Sequence, residues 1–512
     1  MLKRPSAQHV PARLEEDSDE QPPREAVMLV TQPSRVAMQT APRTRWLAKL
    51  RETAPTTRVM VVAVMVSMVA FLDSTVVNLA LPATERELGG GLCLQQWVVD
   101  GYLLALAAAI LPGGSISDLF GRVPVMRFGL ATFGTGSVLA ASATSPVMLI
   151  AGRVIQGLGA AFLVPGSLAM INSTFAPTDR HRAIGAWTGW TGTAFAIGPL
   201  LGGLAVDLLS WRWIYALSAV PIVIGFALTF WLCPVPRPTH RASLDVRGAV
   251  LAAIGLAATV DALIEAGQHG WSGRIIATLI VGIAALLAFV SWQRRAPHPL
   301  IPLRLFTVRN FAAANLVTAF VYGAIAMASL AVALYTQEVA GYCATVAALA
   351  TLPNPILSFL FAKRVGGLAA RIGPHVFLTA GPILAGLGLL LIRPGAGFNI
   401  VTHLLPGTTV LAIGLLLTTT PLGALNLSSV DAARSGIAAA IQNAVGRTSA
   451  LTSVASVGLI AAGTLTDASF TRLLQIAAAL FFIAALIATV CVVNPRHGAD
   501  SALAEAEAAA VA

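Results

Sequence analysis

Long apolar runs separated by short polar links dominate the chain from residue 59 onward. Most runs reach about 20 residues, the length at which a helix crosses the hydrocarbon core of a bilayer. The pattern predicts an all-α polytopic membrane protein with fourteen transmembrane helices. The predicted spans are 59–80, 97–117, 125–143, 146–170, 184–206, 213–233, 248–266, 274–292, 311–335, 344–362, 375–393, 400–425, 436–461 and 473–493.

The polar positions divide the chain into five regions. Residues 1–58 are rich in Pro, Arg, Glu and Gln and predict a disordered cytoplasmic tail rather than a signal peptide. A six-helix half follows over 59–233, and two inserted helices with the central cytoplasmic loops follow over 234–310. A second six-helix half covers 311–493, and a cytoplasmic C-terminal tail covers 494–512.

Composition supports the membrane assignment. Of the 512 residues 56% are hydrophobic and 11% are charged, whereas soluble proteins carry about 25% charged residues. This excludes an ordinary soluble enzyme. The four Cys and eight His residues are scattered without the spacing of a metal site, so we predict neither a metal nor a cofactor.

The placement of basic residues predicts the orientation. Of the 33 Lys and Arg, 26 lie in the two tails and the even-numbered connections, and five lie in the odd-numbered connections. Basic residues accumulate on the cytoplasmic side of membrane proteins, so both termini are predicted to lie in the cytoplasm of a cell (inner or plasma) membrane. The net charge of +10 is thereby explained without nucleic acid as a partner.

Two opposite charges are expected at one depth in the membrane. With a helical rise of about 1.5 Å per residue, Asp73 lies about 21 Å from the cytoplasmic side and Arg153 about 10 Å below the outer surface. In a core about 30 Å thick these levels nearly coincide. We expect the two side chains to face one another or to share a water-filled cavity. They form either a proton-coupling site, which we favour, or a static ion pair.

Other ionisable residues within or near spans leave two interpretations open. Asp261 and Glu265 lie four residues apart on span 7 and could bind a cation or a proton. The interpretation that we prefer is that Glu265 lies near the outer end of the span and contacts water. Arg447 either attracts an anionic substrate group or pairs with an acid, and we slightly prefer the pairing. Three further acids near span ends are expected to contact water: Asp100, Asp207 and Glu338.

Two connections resemble each other. The loop between spans 2 and 3 reads GSISDLFGRVPVM, with Gly114 and Gly121 where backbones are expected to approach closely and with Asp118 and Arg122 as a charged latch. The loop between spans 10 and 11 contains a degenerate copy, Gly367–Gly373. If spans 7 and 8 are an insertion, the two loops are equivalent, which is the internal repeat of a transporter.

Three further motifs complete a family resemblance. Span 1 carries LDSTVVNLALP with Asp73 at its acidic position, span 4 carries LIAGRVIQGLGAA with Arg153 as its arginine, and span 5 carries AFAIGPLLGG. Over about 59–495 the chain resembles the major facilitator superfamily, and within it the fourteen-span drug:proton antiporter branch. The resemblance implies two pseudo-symmetric six-helix halves that rock about a central cavity. Candidate substrate or cation contacts are Asn78, Gln156, Asp261, Glu265 and Arg447.

The span-5 motif has a physical interpretation of its own. Pro199 removes a backbone hydrogen bond and kinks the helix, and Gly198 and Gly202 form a face of small residues. The resemblance implies that these residues and Gly203 form a hinge that favours export, with ordinary packing as the alternative. Where the branch usually has Thr, this chain has Asp100. Extra acids in the outer half hint at a cationic substrate.

The resulting functional prediction is efflux of drugs or secondary metabolites, driven by the proton motive force without a cofactor. The expected partners are a small amphipathic substrate, protons and the lipid bilayer, and the chain is expected to act as a monomer. An importing symporter or facilitator is the alternative within transport. A transport-dead sensor would not need Asp73, Arg153 and the Gly198–Pro199 pair. A membrane enzyme lacks a recognisable catalytic cluster.

Overall fold

The computed structural model describes residues 55–230, 232, 244–431 and 434–494, and the regular structure within these ranges is helical. The N-terminal group comprises α1 (Pro55–Leu88), α2 (Gly91–Phe120), α3 (Arg122–Ala141), α4 (Pro146–Thr174), α5 (Pro177–Leu208), α6 (Arg212–Leu217) and α7 (Ala219–Thr229). The inserted pair is α8 (Val246–His269) and α9 (Gly273–Gln293). The C-terminal group comprises α10 (Arg309–Leu334), α11 (Ala344–Thr351), α12 (Pro353–Ile372), α13 (Pro374–Leu390), α14 (Leu405–Ser428), α15 (Ser435–Ala455), α16 (Val457–Ala461) and α17 (Asp467–Cys491).

These helices make fourteen crossings, because α6–α7, α11–α12 and α15–α16 each continue one another. In the described ranges 13 helical segments are long and apolar enough to span a membrane, and the shorter α13 is also apolar. The predicted all-α, fourteen-span fold is confirmed. The tenth span extends to Ile372, beyond its predicted end. Pro353 does not interrupt it, because Pro353 occupies the first turn of α12, where its missing N–H breaks no helical bond.

The limits of the predicted tails need one correction. Helix α1 begins at Pro55, so residues 55–58 are helical and do not belong to the predicted tail. Proline is tolerated at the first turn of a helix, which explains this start. The remaining tail residues, 1–54 and 495–512, lie outside the described residues, as does 233–243 of the central connection.

Close backbone contacts at glycine join neighbouring helices in both groups. A Cβ atom added to Gly159 of α4 would lie 2.6 Å from the Phe133 backbone nitrogen of α3. A Cβ atom added to Gly414 of α14 would lie 2.6 Å from the Gly381 carbonyl oxygen of α13. Small residues let membrane helices approach this closely. The contact recurs in the third and fourth crossings of each group, as an internal repeat requires.

A hydrogen-bonded carboxylate ties the inserted pair together. Asp245 precedes α8 and accepts hydrogen bonds from the Gly248 backbone at 2.9 Å and from the Trp292 indole and Gln293 amide of α9 at 2.8 Å and 2.7 Å. Burial raises the pKa of this carboxyl, but the hydrogen bonds from these three donors outweigh burial and hold the pKa below its usual value. The helix start and the contact between α8 and α9 therefore depend on one ionised side chain.

The glycine contacts predict a position-specific loss of stability. Gly159→Ala places a methyl group against backbone atoms that cannot turn away, so we expect the free energy of unfolding to fall by about 1–3 kcal/mol. Gly192→Ala in α5 is the matched control, because nothing lies within 4 Å of its added Cβ. Thermal unfolding of both variants in detergent measures the difference. Equal melting temperatures would contradict the packing argument.

Candidate functional site

Asp73 of α1 and Arg153 of α4 form an ion pair inside the N-terminal group. The Arg153 Nη1 atom donates to both carboxylate oxygens of Asp73, at 2.9 Å and 2.8 Å. The exposed fraction is 0% for Asp73 and 1% for Arg153. Charges this deeply buried are tolerated when they are paired and hydrogen-bonded. The predicted contact is confirmed, while its role in proton coupling stays a prediction.

The two members of this pair are held very differently. Arg153 also donates through Nε to the Val98 carbonyl of α2 at 2.9 Å and through Nη1 to the Gln156 side chain at 2.8 Å. Its guanidinium carbon lies 4.5 Å from the centre of the Tyr102 ring. Asp73 receives hydrogen bonds from Arg153 alone among the described residues. Loss of the Asp73 charge would therefore leave Arg153 anchored.

Gln156 and Asn78, two of the predicted substrate or cation contacts, have different settings. Gln156 is fully buried, accepts from Arg153 and donates to the Ser137 hydroxyl of α3 at 2.8 Å. In this conformation its amide positions Arg153 and is not accessible to a substrate. Asn78 of α1 is half-buried. A substrate contact by Asn78 stays a prediction.

The two Gly-containing connections have the same backbone geometry. Gly121 joins α2 to α3 with φ 94° and ψ 143°, and Gly373 joins α12 to α13 with φ 99° and ψ 150°. A positive φ of this size favours glycine because other residues have a Cβ atom. The predicted equivalence of the two connections is confirmed.

The charge pair predicted next to Gly121 is present, with Asp118 and Arg122 3.9 Å apart and half-exposed Asp118 at the end of α2, and its role as a latch stays a prediction. Arg122 Nε and Nη1 are buried without a hydrogen-bond partner among the described residues. Gly114 lies inside α2, and a Cβ added there would meet no atom within 4 Å. The expected close approach at Gly114 is therefore wrong.

The glycines of the span-5 motif face α1 beside the ion pair. A Cβ atom added to Gly202 would lie 2.9 Å from the Val76 Cβ atom. A Cβ added to Gly198 would collide with the Thr75 hydroxyl. Both contacted residues lie within three positions of Asp73. A shift of α1 at Asp73 would therefore disturb the contact between α1 and α5.

The rest of this motif lies inside α5 and at its contact with the C-terminal group. A Cβ atom added to Gly203 would lie 2.7 Å from the Thr345 Cα atom of α11. Pro199 lies inside α5. The contacts establish a packing role for the glycines, and the hinge role stays a prediction.

The N-terminal and C-terminal groups meet at one end of the bundle, which we call the sealed end and define by the α1–α2 and α10–α11 connections. Asp207 near the end of α5 accepts hydrogen bonds from the Ala344 and Thr345 backbone nitrogens at 3.0 Å and 2.7 Å. Those N–H groups form the first turn of α11, where a carboxylate is favoured by the helix dipole. Asp207 thus joins the two groups.

Two glutamines of α2 complete this seal. Gln95 donates to the Glu338 carboxylate after α10. Gln96 donates to the Val454 and Ala455 carbonyls of α15 at 2.8 Å and 2.9 Å. Among contacts between described residues, the hydrogen bonds that join the two groups lie at this end.

The acidic pair of α8 lies apart from Asp73. Glu265 approaches Arg274 and His269, each at 3.3 Å, and both partners are largely exposed. Glu265 itself is 23% exposed and lies one turn from the end of α8, which agrees with the preferred interpretation in position but leaves the side chain only partly in water. Asp261 is half-buried. Within the described residues no group of three or more His, Cys, Asp or Glu could hold a metal ion.

Arg447 lies half-buried within α15. No described carboxylate lies within 4.0 Å of it, so the slightly preferred pairing with an acid is wrong. A Cβ added to the preceding Gly446 would lie 3.3 Å from the ring of Tyr322, which is 42% exposed. Arg447 therefore has a free cation next to an accessible aromatic side chain.

The expected contact with water is confirmed for Asp207 and Glu338, which are exposed, but sequence reasoning missed that both also hydrogen-bond between the two groups. For Asp100 the expectation is wrong, because it is 0% exposed, and neither of its carboxylate oxygens has a hydrogen-bond partner among the described residues. The sequence places Asp100 four residues after Gln96 and so on the same helix face, but it does not show which helix that face packs against, so it gave no signal for this burial.

Comparison with known proteins agrees with this geometry. The sequence model of the Major Facilitator Superfamily matches residues 63–454. The puromycin resistance protein of Streptomyces alboniger is 32% identical over 414 residues, covering 79% of this chain and 81% of that protein. The cephamycin export protein of Amycolatopsis lactamdurans is 33% identical over 402 residues, covering 77% and 82%.

A solved structure shares the fold. The peptide transporter POT, crystallised in complex with sulfate, superposes with a TM-score of 0.64 at 16% identity. The match covers 85% of this chain and 94% of that one. The family match over most of the sequence and the fourteen crossings together show that this chain is a multi-pass membrane protein belonging to the Major Facilitator Superfamily.

Proposed function

We propose that this chain exports small amphipathic compounds, antibiotics or other secondary metabolites, across the plasma membrane in exchange for protons. The names of its relatives, which refer to puromycin resistance and cephamycin export, support both the direction and the class of substrate. The proposal of proton exchange rests on one observation, the fully buried pair of Asp73 and Arg153. The proton gradient supplies the energy, and one copy of the chain suffices.

The distribution of basic residues supports an orientation for this exporter. With 26 of 33 Lys and Arg in the tails and even-numbered connections, both chain ends belong in the cytoplasm. The sealed end then faces the exterior, and the conformation is closed to the outside. Rocking of the two groups breaks the contacts of Asp207 with α11 and opens the path outward.

Proton binding at Asp73 changes the packing of α1. A protonated carboxyl loses its charge attraction to Arg153, which keeps its bonds to the Val98 carbonyl and Gln156. Helix α1 is then free to move against the two glycines of α5 that contact it beside Asp73. The proton occupancy of one side chain thereby biases the contact between two helices.

Arg447 supplies a charge for the substrate. Its unpaired cation is unfavourable at this depth, and an anionic group on a bound compound neutralises it. The accessible ring of Tyr322 offers apolar surface to the rest of an amphipathic molecule. The geometry favours an anionic or zwitterionic substrate over the cationic one that the outer acids suggested.

The first prediction concerns Asp73→Asn in a host without its own exporters. Wild type raises resistance to at least one compound of a toxic panel, and Asp73→Asn falls to the empty-vector level because the amide cannot exchange a proton. Asp179→Asn, the same change at an exposed acid in the first turn of α5, keeps wild-type resistance. Everted vesicles then give the direction of transport.

Equal resistance from wild type and Asp73→Asn would refute the coupling mechanism. Movement of substrate out of everted vesicles together with protons would instead identify an importing symporter.

The second prediction exchanges the buried charges. Asp73→Arg and Arg153→Asp each bury two like charges next to one another, which costs more than the about 3–5 kcal/mol of removing one partner of a buried pair. The double variant restores opposite charges and should recover part of the thermal stability and of the amount found in membranes. Melting curves in detergent compare the thermal stability of the double variant with that of each single variant. A double variant no more stable than the weaker single one shows that the two residues are not energetic partners.

The third prediction concerns substrate charge. Arg447→Gln should raise KM for carboxylate-bearing compounds about tenfold or more, because a hydrogen bond to a charged group contributes about 1.5–3 kcal/mol. Arg447→Lys keeps the charge and should retain most of the affinity. Vesicle uptake of matched carboxylate and ester compounds measures the effect. An equal loss for both compounds would remove Arg447 from substrate recognition.

A further inference from the structure

Asp100 is a carboxyl group for which the surroundings provide no hydrogen-bond donor. It lies near the start of α2, has an exposed fraction of 0%, and neither carboxylate oxygen has a hydrogen-bond partner in the part of the chain that the structure describes. This distinguishes it from Asp73, which Arg153 neutralises, and from Asp207, which backbone N–H groups satisfy. The proposed export mechanism makes no use of Asp100.

The position of Asp100 places it just beneath the seal. Gln96 lies one helical turn toward the sealed end and hydrogen-bonds the Val454 and Ala455 carbonyls of α15. Residues four apart share one face of a helix, so Asp100 lies on the side of α2 that carries this contact. When the two groups separate at the sealed end, water reaches Asp100 after the Gln96 contacts break.

No charged neighbour compensates Asp100. Helix α2 packs against α1, α3, α4, α8, α15 and α16. Charged and titratable side chains on these helices are Arg58, Asp73, Glu85, Arg86 and Glu87 of α1, Arg122 and Arg127 of α3, Arg153 of α4, Arg247, Asp261, Glu265 and His269 of α8 and Arg447 of α15. None of them donates a hydrogen bond to Asp100.

The chemistry of an isolated carboxyl group follows from this setting. An ionised carboxylate without donors or counter-charge is far more costly to bury than a neutral acid. In the closed conformation Asp100 therefore carries a proton. Once water enters from the sealed end, the ionised form is hydrated and the proton leaves to that water, so the carboxylic acid becomes a carboxylate and a hydrated proton.

We propose that Asp100 is a second proton-binding site, which holds its proton while the sealed end is closed and exchanges it with the external solution when that end opens. The proposal rests on the proposed alternating access, with the sealed end outside. Because Asp100 stays buried in the inward-facing conformation, its proton controls closure and does not pass to the cytoplasm. Acid outside favours closure, and alkali outside favours opening.

Pulsed electron paramagnetic resonance tests this control in the full-length protein in lipid nanodiscs. Spin labels at Leu209 and Val339, which are exposed beside the seal, report its opening in a background without the native cysteines. In the labelled protein without further substitutions, we expect the fraction of molecules with a long distance between the two labels to grow as the pH rises. Asp100→Asn, which stays neutral, should not open with rising pH, whereas Asp179→Asn, the same change at an exposed acid in the first turn of α5, should behave as its parent. Opening retained in Asp100→Asn would overturn the proposal.

Infrared spectroscopy tests the bound proton without any need for transport. The closed protein should show a protonated-carboxyl C=O band that shifts in heavy water and disappears in Asp100→Asn. Asp100→Thr serves as a second variant if the amide disturbs folding, and the band should persist in Asp73→Asn even if export is lost. A protein without this band, or an unchanged band in both Asp100 variants, would overturn the second site and leave the export proposal standing.

Discussion

A carboxylate and a guanidinium buried together constrain the rest of this transporter. At 0% and 1% exposure, either charge alone would carry a large desolvation cost, so α1 and α4 must stay together while both side chains are ionised. The pair is asymmetric, because Arg153 is also held by α2 and by Gln156, and Asp73 is held by Arg153 alone. A change in the charge of Asp73 therefore acts on α1, whose next residues pack against the glycines of α5.

Two buried acids and an exposed one illustrate how donors decide the state of a carboxyl group. Asp73 has a cation, Asp207 has the first N–H groups of α11, and Asp100 has neither. The first two are suited to the ionised form and the third to the neutral form. Their positions also differ. Asp207 and Asp100 lie at the seal between the two groups, whereas Asp73 lies within the N-terminal group. The proposed proton control of closure and the proposed proton coupling of export thereby fall to different side chains.

Much of the architecture was predictable, because it depends on local sequence. Apolar length predicted the fourteen crossings, depth along two helices predicted the Asp73–Arg153 contact, and glycine spacing predicted the equivalence of the connections at Gly121 and Gly373. The settings of Asp100 and Arg447 were not predictable in this way. Residue spacing gives the level of a side chain in the membrane, but the helix that it faces depends on tertiary packing. From depth alone the sequence therefore predicted that Asp100 contacts water and that Arg447 pairs with an acid, and both predictions are wrong.

Proton release on substrate binding tests the central claim most directly. Purified protein in weakly buffered detergent, at a pH low enough for Asp73 to hold a proton before the compound is added, should release protons measured by a pH-sensitive dye when it binds a compound that it exports, because substrate and proton exclude one another through Asp73. Asp73→Asn should bind the same compound, checked by calorimetry, without that release. Substrate binding to wild type without proton release, or equal release from Asp73→Asn, would contradict the account.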